Sequence, residues 1–112
     1  MPVTHHYIVI PAIGSIEQGS FIGGKQPRYH DIRGAIRNHF DEPFEHVTVL
    51  HDGERRDMFV GETSSINGRH IRNVRATAIY RNNILKNEPG INPESLHAIS
   101  GPAVLFMSRV WF

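Results

Sequence analysis

The stretch that decides the fold is Glu45-His-Val-Thr-Val-Leu-His51, then Asp52-Gly53, then Arg56-Asp-Met-Phe-Val60. The first run alternates in polarity and is rich in β-branched residues, the pattern of a strand with two different faces. Asp-Gly is favoured in two-residue hairpin turns because both central positions need positive φ. Strands joined so tightly must run antiparallel. Upstream, Asp31 to Phe40 reads as a helix with Ile32, Ala35, Ile36 and Phe40 on one face and Asp31 as its N-cap. Gly34 weakens that helix by about 1 kcal/mol relative to Ala. Further upstream, Tyr7-Ile-Val-Ile10 is an interior strand stopping at Pro11, and Ile16 to Ile22 is a weaker strand pairing back on it.

Downstream of the hairpin, Glu62 to Arg72 is polar and reads as a loop. Asn73 to Asn87 reads as the second main helix, with Asn73 as its cap; Val74, Ala78 and Leu85 align, while Ile79 and Tyr80 fall off that stripe. Asn92-Pro93-Glu94 starts a short helical turn. Ala103 to Phe112 is apolar on both faces, so it belongs inside the sheet or at a subunit contact. The order is β(β)αββα(short α)β. It predicts one α+β domain over residues 1–112, with a mixed, mostly antiparallel sheet of four to five strands and two main helices.

Composition narrows the function classes. With 39% apolar and 21% charged residues, the chain is neither a disordered tail nor a membrane protein. It has no Cys, which excludes a disulfide framework, a thiolate zinc site and a cysteine nucleophile. The formal charge of +1 lacks the basic excess of a general nucleic-acid binder. No apolar run approaches the ~20 residues that span a bilayer, and the start Met1-Pro-Val-Thr-His-His is not a signal peptide, so a cytoplasmic protein is expected.

The catalytic and metal motifs are incomplete. Gly19-Ser-Phe-Ile-Gly-Gly24-Lys25-Gln26 nearly matches a phosphate loop, but Gln26 cannot give Mg²⁺ a hydroxyl and Pro27 stands where the helix should continue. The pairs His30/His39, His46/His51 and His5/His6 all fall on opposite faces of their elements, so no local pair chelates and no metal or other cofactor is expected. A His–carboxylate pair such as His51 with Asp52 or Asp57 is compatible with acid–base chemistry but is not specific for it.

A resemblance spans most of the chain and is specific in two stretches, the second with the chain's ending. At Asn73-Val-Arg-Ala-Thr-Ala-Ile-Tyr-Arg81, at Ile99-Ser-Gly-Pro-Ala-Val-Leu-Phe106 and in the ending Val110-Trp-Phe112, the chain resembles a family of small bacteriophage and mobile-element proteins with no accepted catalytic residues. The resemblance implies a small cytoplasmic accessory protein of the host cell, made during infection or carried on a mobile element. Proteins of this class bind host factors or sequester nucleotides, an analogy of class rather than of residues.

The polar cluster Arg69, His70, Arg72, Asn73 and Arg75 is the candidate ligand site. It opens the second helix, where unpaired N–H groups and a partial positive charge favour an anion, and arginine forks add bidentate donors. The expected function is non-catalytic binding of an anionic, nucleotide-like small molecule or of a host protein. The alternative is a small enzyme using a His–carboxylate or His–Arg site on a nucleotide-like substrate. The apolar load of Phe106, Trp111 and Phe112 predicts a homo-oligomer formed through the C-terminal strand.

Overall fold

The Asp-Gly turn forms as its dihedral requirement demands, with Asp52 at φ 53° and Gly53 at φ 79° in a computed structural model that describes residues 2–40, 43–61, 71–92 and 98–111. It joins β3 (Phe44–His51) to β4 (Glu54–Gly61), with His51 opposite Glu54 and Thr48 opposite Asp57. At the other end of the sheet, β1 (Val3–Ile10) pairs antiparallel with β2 (Glu17–Gly23). The two hairpins are joined by β5 (Ala103–Phe106), which pairs antiparallel with β1 on one side and β4 on the other. The five-stranded order is β2-β1-β5-β4-β3, so the mixed, mostly antiparallel sheet of the sequence reading is antiparallel at every pairing among the described strands.

Each face of the sheet carries one helix. Helix α1 (Tyr29–Ile36) places Ile32 and Ile36 against Tyr7, Val9, Phe59, Val104 and Phe106. Helix α2 (Val74–Asn87) lies on the opposite face, where Ala76, Ile79 and Tyr80 pack with Ile10, Val49, Met58, Val60 and Leu105. The central strand is apolar on both faces because both are covered, which is why all four of its residues are buried.

Several boundaries differ from the sequence reading: β1 begins at Val3 rather than Tyr7 and β4 at Glu54 rather than Arg56. Helix α1 begins at Tyr29 with Arg28 in the cap position, and Asp31 sits in its first turn rather than at its cap. The Asp31 carboxylate accepts from the Arg28 backbone N–H at 3.2 Å, while the Asp31 N–H donates to the Arg28 carbonyl at 2.9 Å. The helix then tightens into a 3₁₀ turn over Arg37–His39, and Phe40 beyond it still packs on the core. The final strand ends at Phe106: Met107 still donates its N–H to the His6 carbonyl at 2.9 Å and packs on the α2 face, and the chain then crosses so that Val110 joins the α1-face core. Gly19 to Gly23, the front of the phosphate-loop-like stretch, lies in β2, so its backbone belongs to a strand and not to an anion cradle. Gly19 is where Tyr7 crosses: a Cβ there would fall 2.5 Å from Tyr7 Cε1. The short turn expected at Asn92-Pro93-Glu94 lies mostly outside the described residues.

Both ladder sides of β5 are occupied, so this strand offers no free edge to a second copy. Phe106 is fully buried, and of the C-terminal apolar load only Trp111, at 39% exposure, is accessible among the described residues. The core thus accounts for Phe106, while Trp111 keeps an accessible surface and Phe112 lies outside the described residues.

Candidate functional site

The predicted cluster divides between the interior and the surface. Arg69 and His70 lie outside the described residues. Asn73 is fully buried. Its Nδ2 donates to the carbonyls of Ile10 and Gly101, both at 2.8 Å, and its Oδ1 accepts from the Ala76 N–H at 3.0 Å. It caps α2 as expected, and it also pins the end of β1 and the approach to β5. Arg75 turns away from the helix start and donates to the carbonyls of Pro11 and Gly14 at 2.6 and 2.8 Å, holding the β1–β2 connection. Arg72 is exposed and its backbone bridges to Ser100. The structure therefore engages Asn73 and Arg75 with backbone oxygens and leaves Arg72 at the surface.

A cleft forms at the other end of β5. On the α1 face, β3 and β4 continue past the helix toward their turn, exposing Thr48 and leaving His46 and Asp57 to be covered by something else. Residues 107–111 provide that cover. Val110 joins the α1-face core, and the Trp111 indole stacks on the His46 ring at 4.5 Å with 7° between planes. Buried Asp57 holds this arrangement. Its Oδ1 accepts from His46 Nε2 at 2.7 Å, and its Oδ2 accepts from the backbone N–H groups of Val110 at 2.8 Å and Trp111 at 3.0 Å. A carboxylate can accept several such charge-assisted bonds, so burial of its charge is compensated.

The resulting cleft has a volume of 390 Å³ and is lined by His46, Thr48, Arg55, Arg56, Asp57, Arg109 and Trp111. That volume is within the range of small-molecule sites. Arg55 and Arg109 line it beside one carboxylate whose two oxygens are already engaged, while Arg56 alternates toward the α2 face of β4. Arg56 is held by the Met107 carbonyl and by Glu54 at 3.3 Å. Arg109 Nε donates to the Trp111 carbonyl at 3.1 Å. Arg55 is exposed on the turn end of β4. A second, smaller cleft of 170 Å³ shares Trp111 and is lined by Pro27, Arg28, Tyr29, Ile32 and Val110.

The His–carboxylate reading finds a different pair. His51 and Asp57 stand on opposite faces of the hairpin, because His51 faces Glu54 whereas Asp57 faces Thr48. His51 approaches Asp52 at 3.5 Å in the exposed turn. The buried partner of Asp57 is His46, two residues from Thr48 and therefore on the same face. That signal was present in the sequence: an Asp-Gly two-residue turn fixes the register, and the register puts His46 diagonal to Asp57. Among the described residues, no three His, Asp or Glu side chains gather as a metal site, and no helix is long and apolar enough to cross a membrane. No family model matches the chain, nor does any curated protein or solved structure.

Proposed function

We propose that the chain is a non-catalytic binding protein for an anionic, nucleotide-like small molecule, held in the cleft between the β3–β4 hairpin and residues 107–111. The observation that carries this reading is the meeting of Arg55 and Arg109 at one cavity beside Trp111. Guanidinium forks recognise phosphate and carboxylate oxygens bidentately, and low local polarity strengthens such contacts. The site thus moves from the entry of α2 to the exit of β5, while the ligand class stays the one expected at the α2 entry. The resemblance of residues 73–81 and 99–106 to phage and mobile-element proteins supports placing this activity in the cytoplasm of a host cell as an accessory function.

The His46–Asp57 pair supports a second reading, acid–base chemistry on the same ligand. The geometry favours binding over turnover. Asp57 is engaged by two backbone N–H groups as well as by the ring, and His46 has its Nε2 tied to Asp57 and one ring face against Trp111.

Calorimetric titration with pyrophosphate tests the proposal. Arg55→Ala and Arg109→Ala are each expected to weaken binding about tenfold, the loss of one charge-assisted contact of ~1.5 kcal/mol. Arg72→Ala, near Ser100 at the opposite end of β5, should leave it unchanged. Equal affinity in all three variants would sink the cleft as the site, and recovery of a chemically altered nucleotide after incubation would replace binding by catalysis.

A further inference from the structure

Trp111 is a wall shared by two clefts of different character. On one side lie Arg55 and Arg109; on the other lie Pro27, Tyr29, Ile32 and Val110, with Arg28 at the rim. We infer that the two clefts divide one ligand between them: the larger takes a phosphate group and the smaller takes a single planar base, so the ligand is a free mononucleotide. The inference rests on the anion-binding reading of the larger cleft and adds the assignment of the smaller one.

The polarity of each cleft determines which half it takes. The smaller cleft opens at the start of α1, where backbone N–H groups would ordinarily attract an anion. Here the Asp31 carboxylate already occupies that position, accepting from the Arg28 N–H at 3.2 Å. A phosphate beside it would meet a like charge, whereas a neutral heterocycle would not. The lining is instead suited to a ring. Tyr29 meets Trp111 edge-to-face at 5.8 Å and 85°, and Ile32 and Val110 give an apolar floor. Bases stack on aromatic side chains with little dependence on sequence, and an arginine plane can add a contact at the rim. Tyr29 is 47% exposed and Trp111 39%, so both retain surface to contribute.

Size limits the ligand further. A cleft of 170 Å³ has room for one heterocycle beside these walls and not for a stacked pair. His46 already covers one face of the indole at 4.5 Å, which prevents a base from being sandwiched there. A strand of nucleic acid, which needs successive stacking platforms and a basic track, finds neither among the described residues around these clefts.

The test is titration of the full chain with four probes: pyrophosphate, adenosine, adenosine diphosphate and a single-stranded oligonucleotide. Adenosine diphosphate is expected to bind at least about tenfold more tightly than pyrophosphate, the weight of one base-on-aromatic contact. Tyr29→Ala should abolish that advantage and leave pyrophosphate affinity as it was, whereas Tyr29→Phe should preserve it. Circular dichroism melts of both variants verify folding, and Tyr29 is exposed enough for either to be tolerated. Equal affinity for pyrophosphate and adenosine diphosphate overturns the base subsite while leaving the anion site standing. Failure of both ligands overturns the anion site and the inference together. Adenosine binding as tightly as its diphosphate overturns the phosphate assignment, and tighter binding of the oligonucleotide overturns the claim that the ligand is a free mononucleotide.

Discussion

Removing the Asp57 carboxylate should release the C-terminal segment and dismantle the cleft. Asp57 is 6% exposed and accepts three hydrogen bonds at 2.7–3.0 Å from His46, Val110 and Trp111. Bonds to a charged acceptor are each worth roughly 1.5–3 kcal/mol. The desolvation of the carboxylate in the native state offsets much of that sum. What Asp57→Ala leaves behind is a buried Val110 N–H without an acceptor, about 1–3 kcal/mol by itself, and a Trp111 N–H and a His46 ring that can both reach water. The net loss is about 3 kcal/mol. For a chain of this length the melting temperature falls by about 4 °C per kcal/mol, so the shift is about 12 °C. Asp57→Asn should lose only about 1 kcal/mol, since its carbonyl can still accept from the two backbone N–H groups while its amide donates to His46 Nε2 in the other tautomer. Trp111 is the sole tryptophan, so its fluorescence reports on the segment directly. Its emission should shift to the red in Asp57→Ala and stay in place in Asp57→Asn. An Asp57→Ala protein that melts with the parent and keeps its emission would refute the claim that this carboxylate holds residues 107–111.

Two further substitutions probe the scaffold. Asn73→Asp keeps the shape and the α2 cap but presents oxygen, not N–H, to the carbonyls of Ile10 and Gly101; it is expected to cost about 3 kcal/mol in urea unfolding, and a cost below about 1 would show that Asn73 is not the junction described. Gly19→Ala drives a methyl to 2.5 Å from the buried Tyr7 ring and should destabilise by about 2 kcal/mol, whereas Gly34→Ala in α1 meets nothing within 4 Å and should stabilise by about 1 kcal/mol; thermal melts showing the same sign for both would contradict the packing.

Local chemistry made much of the fold legible. The Asp52-Gly53 pair announced both the β3–β4 hairpin and its register, and the apolar faces of Ala103 to Phe106 announced a strand covered on both sides. The start of α1 was misplaced because Asp31 serves equally well as an N-cap or as a first-turn carboxylate; Arg28, whose side chain has no acceptor oxygen, gave no signal. The site was less legible for a physical reason. Asn73 and Arg75 look like ligand donors in sequence, but carbonyls left over at Ile10, Pro11, Gly14 and Gly101, distant along the chain, engage them first. The turn after Met107 was hidden likewise: Val110 and Trp111 are as apolar as strand residues, and what draws them out of the sheet is an acceptor on β4, 53 and 54 positions away.

The same C-terminal stretch therefore has two tasks that cannot be separated. Residues 103–106 join two hairpins that have no ladder in common, and residues 107–111 wall the cleft. Pairings this distant in sequence require large loops to close before they contribute, so the strand and the cleft behind it form with the completed sheet and not before it. A cleft that exists only in the folded chain makes its ligand a stabiliser of the whole sheet. At a hundredfold excess over Kd the ligand should add about 2.7 kcal/mol, by mass action alone. At about 4 °C per kcal/mol this is a rise of about 11 °C, so the ligand of an intact cleft must register in a thermal melt. The same ligand added to Asp57→Ala, where the wall is no longer held, should give little or no rise.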